Sequence, residues 1–198
     1  VAGGIPIINP LLDQLTLGKI TNITGILNGT TNFILTKMSE GMDYKSALKI
    51  AQEKGFAEAD PSFDVEGNDA AQKISIIASL AFGKWINPKE VYCEGITEIT
   101  PMDIEYAKDL GYVIKLLAIA GKTETGDIDI RVHPALIKKS HRLAKVNDEF
   151  NAIRIQGTPF DEYFNVGKGA GQGPTAFSVY YDIIKTAKMI RTGLIRKI

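Results

Sequence analysis

The sequence is poor in the features that mark disulfide-linked, nucleic-acid-binding or membrane-spanning proteins. Cys93 is the only cysteine, so an internal disulfide and a cysteine-based zinc site are both excluded. The 23 lysines and arginines equal the 23 aspartates and glutamates, whereas a nucleic-acid or anionic-membrane surface normally needs a basic excess. No apolar run approaches the ~20 residues of a membrane span. We therefore expect no nucleic-acid partner, no membrane and a cytoplasmic location.

The first residues also lack the marks of a natural start. The segment VAGGIPIINP begins at Val1 without a methionine, and it has no basic stretch of the kind that opens a signal peptide. We expect that residues were removed from the start or that the chain is a piece of a longer protein. With 198 residues, of which 44% are hydrophobic, the chain is long enough for a folded domain with a sizeable core.

The order of local patterns predicts an α+β fold. Alternating β-branched residues predict a strand over about 19–27, and helices capped by Asn28 and Asp43 follow it. A further helix ends at Gly83. From about residue 92 strand patterns dominate, apart from a short helix capped by Thr100 and a long final helix with Pro174 at its first position. We expect a mixed, mainly antiparallel sheet with helices packed on one face.

An acidic stretch, AEADPSFDVEGNDAAQK, lies between two helix-like segments. Acidic residues in such places are most often solvated loop and cap residues, so a surface loop is one interpretation. A calcium loop of the EF-hand type is disfavoured, because no glycine falls at its sixth position.

A catalytic interpretation rests on the spacing of Asp69 and Lys73, which places both on one face of a helix. A lysine held by a carboxylate one turn away can deliver a proton to a carbonyl oxygen in a partly closed site. Glu58 and Asp64 could then receive the ammonium group of a substrate. The same spacing is typical of surface salt bridges, which are worth roughly a few tenths of a kcal/mol. Spacing alone leaves both interpretations open.

The segment 51–73 resembles the signature of the homoserine dehydrogenase family. The family's fixed positions are occupied here by Ala51, Gly55, Phe56, Ala57, Asp60, Pro61, Asp64, Val65, Gly67, Asp69 and Lys73, without a departure. The segments NGTTNFIL, GKGAGQGPTA and VAGGIPII also resemble that family. The resemblance covers essentially the whole chain, and its most specific motifs lie in the first half.

The resemblance implies an oxidoreductase that reduces L-aspartate 4-semialdehyde to L-homoserine with NADPH or NADH, a reaction of threonine, methionine and isoleucine biosynthesis. It implies that Lys73 is the proton donor and that Asp69 orients the lysine and binds substrate. It also implies that Glu58 binds substrate, and that Asp64 helps to bind the substrate amino group. Asp60 and Glu66 are interpreted as loop residues.

Two glycine-containing turns extend the expected site. Gly29 and Thr30 lie where the first strand meets its helix, which is typical of an ordinary helix cap and also of a turn that binds a polar ligand end. The family places this turn beside substrate and nicotinamide. Gly169 and Gly171 precede the last helix, where a tight helix entry is the ordinary interpretation. The resemblance implies that this loop contacts the cofactor.

The segment VAGGIPI resembles a family turn whose backbone carbonyls bind a monovalent cation such as Na⁺. The matching positions are Val1, Gly3 and Ile5. A family glutamate that completes the site lies upstream of the matching segment and has no counterpart in this sequence. His133 and His141 have no partner at metal spacing and are interpreted as structural or surface residues, and no role is assigned to Lys115.

The family has a nucleotide-binding domain of roughly 130 residues before this region, and no strand–glycine–helix unit of that kind begins this chain. We therefore expect residues 1–198 to be the substrate-binding and dimerisation region, and residues from about 167 to 198 to form the cofactor loop and a tail helix. We expect a homodimer, and a 198-residue chain that is inactive by itself. A non-catalytic amino-acid-binding or dimerisation module is the alternative, and an α+β scaffold with a solvated acidic loop is another.

Overall fold

A computed structural model describes residues 1–169 and 171–193. Its six-stranded sheet has the order β2-β4-β3-β1-β5-β6, and β2 and β4 are its only parallel neighbours among these residues. The strands are β1 (Lys19–Ile26), β2 (Tyr92–Cys93), β3 (Tyr112–Lys122), β4 (Ile128–Lys138), β5 (Phe150–Thr158) and β6 (Asp161–Lys168). The α+β prediction with a mixed, mainly antiparallel sheet is confirmed.

Seven α-helices are described in these residues, and local sequence signals place several of their starts. The helices are α1 (Ile8–Asp13), α2 (Gly29–Ser39), α3 (Tyr44–Glu53), α4 (Ser62–Val65), α5 (Asn68–Phe82), α6 (Pro101–Asp109) and α7 (Gln172–Arg191). Asn28, Asp43 and Thr100 cap α2, α3 and α6 through their side chains, as the sequence predicts. Such caps stabilise a helix because they satisfy backbone N–H groups that have no partner within it.

Alternating strand residues divide the core between the two faces of the sheet. Ile23 and Ile153 join the large cluster that the sheet forms with the helices. Ile26 and Ala152 point the other way, because successive strand residues face opposite sides, and they belong to a smaller cluster with Leu143. The helices thus cover one face, and a short 3₁₀ turn, Arg142–Lys145, packs on the other.

Two predicted elements differ in their bounds. The strand expected from residue 92 ends at Cys93, because Ile96 donates its N–H to Val65 O and the chain leaves the sheet at Gly95. A side chain at Gly95 would lie 2.3 Å from Val65 O, so only glycine fits this departure.

The last helix begins at Gln172, so Pro174 is its third residue instead of its first. It buries none of its residues in this chain, and Phe177, Tyr180 and Ile183 are among its exposed apolar side chains. Residues 194–198 of the predicted tail lie outside the described residues. Within the described part of the chain, no helix has both the length and the hydropathy needed to cross a bilayer.

Candidate active site

The amide of Asn28 joins the start of α2 to two carboxylates. Its Oδ1 accepts the N–H of Thr31, which caps the helix. Its Nδ2 donates both protons, to Asp64 Oδ1 at 2.7 Å and to Asp69 Oδ2 at 2.9 Å. Asn28 is buried, so the two carboxylates are brought to one point by a side chain that packing and capping hold in place.

Asp69 and Lys73 stand one turn apart at the start of α5. Lys73 Nζ lies 2.6 Å from Asp69 Oδ2 and donates to Leu27 O at 3.1 Å. These contacts use two of the three ammonium protons, and the described residues offer no further hydrogen-bond partner to the third. The two side chains are 25% and 21% exposed, so the pair is more enclosed than an ordinary surface salt bridge. A third proton is therefore free to reach a substrate oxygen.

Asp64 titrates at a higher pH than an ordinary aspartate. Partial burial raises the pKa of its carboxyl group, the hydrogen bond from Asn28 lowers it, and the charge of Asp69 raises it again. The charge of Lys73 and the nearby hydroxyl group of Thr30 act in the lowering direction. A second positive charge beside this carboxylate, such as a substrate ammonium group, would stabilise its ionised form.

The turn between α4 and α5 fixes the direction in which Asp69 and Lys73 point. Gly67 has a φ of +88°, and a Cβ at this position would lie 2.9 Å from Cys93 Sγ. Both the left-handed conformation and the close sulfur favour glycine at this position.

The structure brings some of the predicted site residues together and leaves one apart. Asp64, Asp69 and Lys73 form one cluster with Asn28. Glu58 is exposed, and in the described chain its side chain makes no hydrogen bond or ion pair with that cluster. Asp60 lies in the loop, where its carboxylate accepts the N–H of Ser62.

Asn28 is the residue whose role the sequence reasoning missed, because helix capping was already a sufficient reason for it. The sequence did contain a signal for this role, because a capping asparagine uses only its oxygen and keeps two N–H donors free. Of its predicted neighbours, Thr30 donates its hydroxyl to Phe56 O at 2.5 Å. Gly29 lies against the backbone of Glu149, whose carbonyl oxygen would be 2.8 Å from a Cβ.

The glycine turn before α7 lies next to the same helix start. Gly169 donates its N–H to Glu149 O at 3.4 Å, the same carbonyl that contacts Gly29. A Cβ at Gly169 would lie 2.1 Å from the side chain of Asn151, and Gly171 has a φ of +118°. At position 169 the turn thus has room only for backbone beside Asn151.

The N-terminal turn contains the three positions expected to bind a cation. The carbonyl of Gly3 accepts the hydroxyl of Ser178 at 3.0 Å, and the carbonyl of Ile5 accepts the N–H of Ile7 at 2.9 Å. Each carbonyl oxygen has a second lone pair, so both can still contribute to a cation site. Across residues 1–169 and 171–193, no cluster of three His, Cys, Asp or Glu side chains could hold a metal ion.

Comparison with known proteins gives a consistent result. The family model described as homoserine dehydrogenase matches residues 6–184. A homoserine dehydrogenase of Synechocystis sp. is 50% identical over 98% of this chain and 46% of its own length. One from Bacillus subtilis is 46% identical over 98% of this chain and 45% of its own length. The chain thus spans less than half the length of these curated relatives.

Comparison with solved structures indicates the same family as comparison with sequences. The crystal structure of a homoserine dehydrogenase from Thiobacillus denitrificans matches the whole of this chain and 46% of its own, with a TM-score of 0.94 at 42% identity. A hyperthermophilic archaeal homoserine dehydrogenase in complex with NADPH matches 95% of this chain and 54% of its own, with a TM-score of 0.79 at 34% identity.

Proposed function

The chain belongs to the homoserine dehydrogenase family, and from that premise we propose that it is the catalytic region of an enzyme that reduces L-aspartate 4-semialdehyde to L-homoserine. The observation that carries the proposal is the cluster of Asn28, Asp64, Asp69 and Lys73, in which one ammonium proton has no partner among the described residues. The reaction serves threonine, methionine and isoleucine biosynthesis.

Lys73 supplies the proton in the proposed reaction. Reduction of an aldehyde adds hydride at carbon and a proton at oxygen, and a bound NADPH or NADH supplies the hydride. The free N–H of Lys73 binds the aldehyde oxygen and transfers its proton as negative charge develops there. Asp69 and the Leu27 carbonyl hold the ammonium group so that this proton points away from both of them.

The two carboxylates that meet at Asn28 suit a zwitterionic substrate. Asp64 and Asp69 together carry more negative charge than Lys73 neutralises, so the cluster attracts an amino group. Asp64 binds the substrate ammonium in this proposal, and Asp69 both orients Lys73 and contacts substrate. Glu58 remains a proposed substrate contact on the resemblance alone, as do Gly29 and Thr30 at the start of α2.

The remaining parts of the proposal concern cofactor and assembly. Gly169 and Gly171 contact the nicotinamide cofactor in this proposal, a role that rests on the family resemblance. The side chain of Asn151 by itself excludes a larger residue at position 169. The relative solved in complex with NADPH supports this class of cofactor. The apolar face of α7 packs against a nucleotide-binding domain. A monovalent cation at Val1, Gly3 and Ile5, a homodimer, a cytoplasmic location and the inactivity of the isolated chain belong to the same proposal.

The test measures NADPH oxidation by the complete gene product with L-aspartate 4-semialdehyde, for the wild type and for Lys73→Met. Loss of a general acid should lower kcat about 100-fold or more. The matched control is Lys49→Met, because Lys49 forms an i,i+4 pair with Glu53 at 4.0 Å whose side chains are 76% and 64% exposed. This control should keep wild-type kcat.

Three outcomes count against the proposal. Unchanged turnover in Lys73→Met refutes the role of this lysine. A wild-type protein that binds L-homoserine in calorimetry but never turns over favours a non-catalytic amino-acid-binding module. Absence of both binding and turnover favours a structural scaffold.

A further inference from the structure

Lys115 is a buried cation to which the proposed reaction assigns no role. It lies on β3, is 3% exposed, and donates to Asn32 Oδ1 at 3.0 Å, Val146 O at 2.7 Å and Asn147 Oδ1 at 3.0 Å. None of the ion pairs found among the described residues includes it. Burial of an ammonium ion without a carboxylate partner costs free energy, so its presence needs a reason beyond packing.

The three acceptors of Lys115 match the three protons of an ammonium group. Burial lowers the pKa of Lys115 to about 8, and the charge of Asp148 opposes part of that shift. At pH 7 the group is therefore still mostly the ammonium ion. A neutral amine has only two protons, so the charged form is the one that satisfies all three acceptors.

Lys115 acts together with Asn32 to fix one segment of backbone, residues 146–150, which we call the strap. Asn32 Nδ2 lies within hydrogen-bond distance of three carbonyls of the strap, those of Val146, Asp148 and Phe150, at 3.1, 3.0 and 3.0 Å, and shares its two protons among them. Thr36 Oγ1 accepts the N–H of Asp148 at 3.0 Å. Asn32 and Thr36 thus attach the strap to the buried side of α2. Lys115 bonds both to Asn32 and to the strap.

The strap in turn contacts the candidate site. Its Glu149 carbonyl lies against Gly29 and accepts the N–H of Gly169. Gly29 directly follows Asn28, the residue that gathers Asp64 and Asp69. A displacement of the strap would therefore move the first turn of α2 or open the space beside it.

We propose that Lys115 is a positioning residue for the reaction: its ammonium group fixes the strap against α2 and so sets where Asn28 holds the two carboxylates. This inference rests on the proposed dehydrogenase function. It assigns Lys115 no contact with substrate or cofactor. It gives a reason for a charged group among the buried residues of β3, where a leucine or methionine would bury more favourably.

The test compares Lys115→Met with Lys37→Met in the complete gene product. Lys37 also reaches the strap, since its Nζ lies 3.2 Å from Asp148 Oδ1, but from the solvent side. Because sub-ångström to ångström displacements in a site can cost up to about 100-fold in rate, we expect Lys115→Met to lower kcat/KM for the semialdehyde about 10- to 100-fold. Because Gly169 also bonds to the strap, KM for NADPH should rise as well, but by a smaller factor than kcat/KM for the semialdehyde falls, and every parameter of Lys37→Met should stay within about twofold.

Two more variants separate the loss of positioning from a general loss of folding. Lys115→Gln restores two N–H donors, so its kcat/KM should fall between those of Lys115→Met and the wild type. Asn147→Ala removes one acceptor at an exposed position, and it should lower kcat/KM about 2- to 10-fold, the range expected for one hydrogen bond.

The outcomes are distinct. A folded Lys115→Met with wild-type kcat/KM overturns the inference, and so does an equal loss in the substrate and cofactor parameters. If Lys115→Met does not fold, wild-type kcat/KM in Asn147→Ala overturns it. A wild-type protein without any reductase turnover contradicts the proposed function instead.

Discussion

Asn28 and Asp69 meet through a hydrogen bond of 2.9 Å between Nδ2 and Oδ2, although 41 residues separate them in the chain. The same Asp69 oxygen lies 2.6 Å from Lys73 Nζ, so one carboxylate oxygen accepts from both an amide and an ammonium group. The orientation of the lysine therefore depends on a helix cap from a different part of the chain.

Asn28 both caps α2 and binds two carboxylates, and its replacement should separate these two roles. Asn28→Ser keeps a capping oxygen but has no N–H donors for Asp64 and Asp69, whereas Asn28→Ala loses both. We expect both variants to be less stable than the wild type, because both lose the hydrogen bonds to the carboxylates, and we expect the alanine variant to lose about 1 kcal/mol more than the serine variant, because only serine keeps the cap. Both should lose at least about tenfold in kcat/KM, because the carboxylates are no longer gathered. Urea denaturation and steady-state kinetics measure these effects, and a serine variant with wild-type kinetics contradicts them.

The raised pKa of Asp64 predicts how its substitution changes stability with pH. A carboxyl group whose folded pKa lies above its unfolded value binds more protons in the native state, so it destabilises the fold at pH values above the folded pKa. That penalty decreases as pH falls through the folded pKa and is gone below the unfolded value of 3.8. Asp64→Asn should therefore unfold at higher denaturant than the wild type at pH 7, with a smaller gain near pH 4.

Asp60→Asn is the control for this prediction. A hydrogen bond from Ser62 lowers the pKa of the Asp60 carboxyl group, so the sign of its contribution is opposite. No gain in stability is expected from this control at pH 7. Equal gains in both variants would show that loss of negative charge alone is responsible.

Gly67→Ala should destabilise the protein more than Gly83→Ala does. Both glycines have positive φ, +88° and +67°, so each alanine is strained by about 1 kcal/mol. Only the alanine at 67 also meets an atom, Cys93 Sγ at 2.9 Å, whereas position 83 has nothing within 4 Å. The difference between the two free energies of unfolding measures the packing contribution, and equal losses would refute a tight α4–α5 turn.

Gly169→Ala should impair cofactor binding, while Gly173→Ala should not. An alanine at 169 forces its Cβ to within 2.1 Å of Asn151 unless the turn moves, but position 173 on α7 is open. We expect KM for NADPH to rise several-fold or more in the first variant, with KM for the semialdehyde less affected. Helix propensity favours alanine over glycine at 173, so that variant should be as stable as the wild type or more so. An unchanged KM for NADPH in Gly169→Ala would count against a cofactor role for the turn.

Local patterns predicted most of the fold because their causes are local. A cap such as Asn28, a stop such as Gly83 and strand alternation depend on residues within a few positions of each other. A strand at β2 was predicted but its end at Cys93 was not, because the close approach of Gly95 to Val65 ends it.

Contacts within the candidate site were predicted only where a family pattern or helix periodicity linked the residues. The pair of Asp69 and Lys73 follows from helix spacing. The bonds of Asn28 to Asp64 and of Lys115 to the strap join segments tens of residues apart, and no periodicity in the sequence encodes them.

The central place of β1 in the sheet has a consequence for folding. The hairpins β3–β4 and β5–β6 each pair neighbouring strands, so they close short loops and can form early. Strand β1 can complete its pairing only when both hairpins are present, because Ile23 pairs with Ala120 on one side and with Ile155 on the other. Leu27 and Asn28 lie directly after this strand. On a growing nascent chain Asp69 and Lys73 can pair within α5, but they meet Leu27 and Asn28 in the native arrangement only after β5 has been synthesised and has paired with β1.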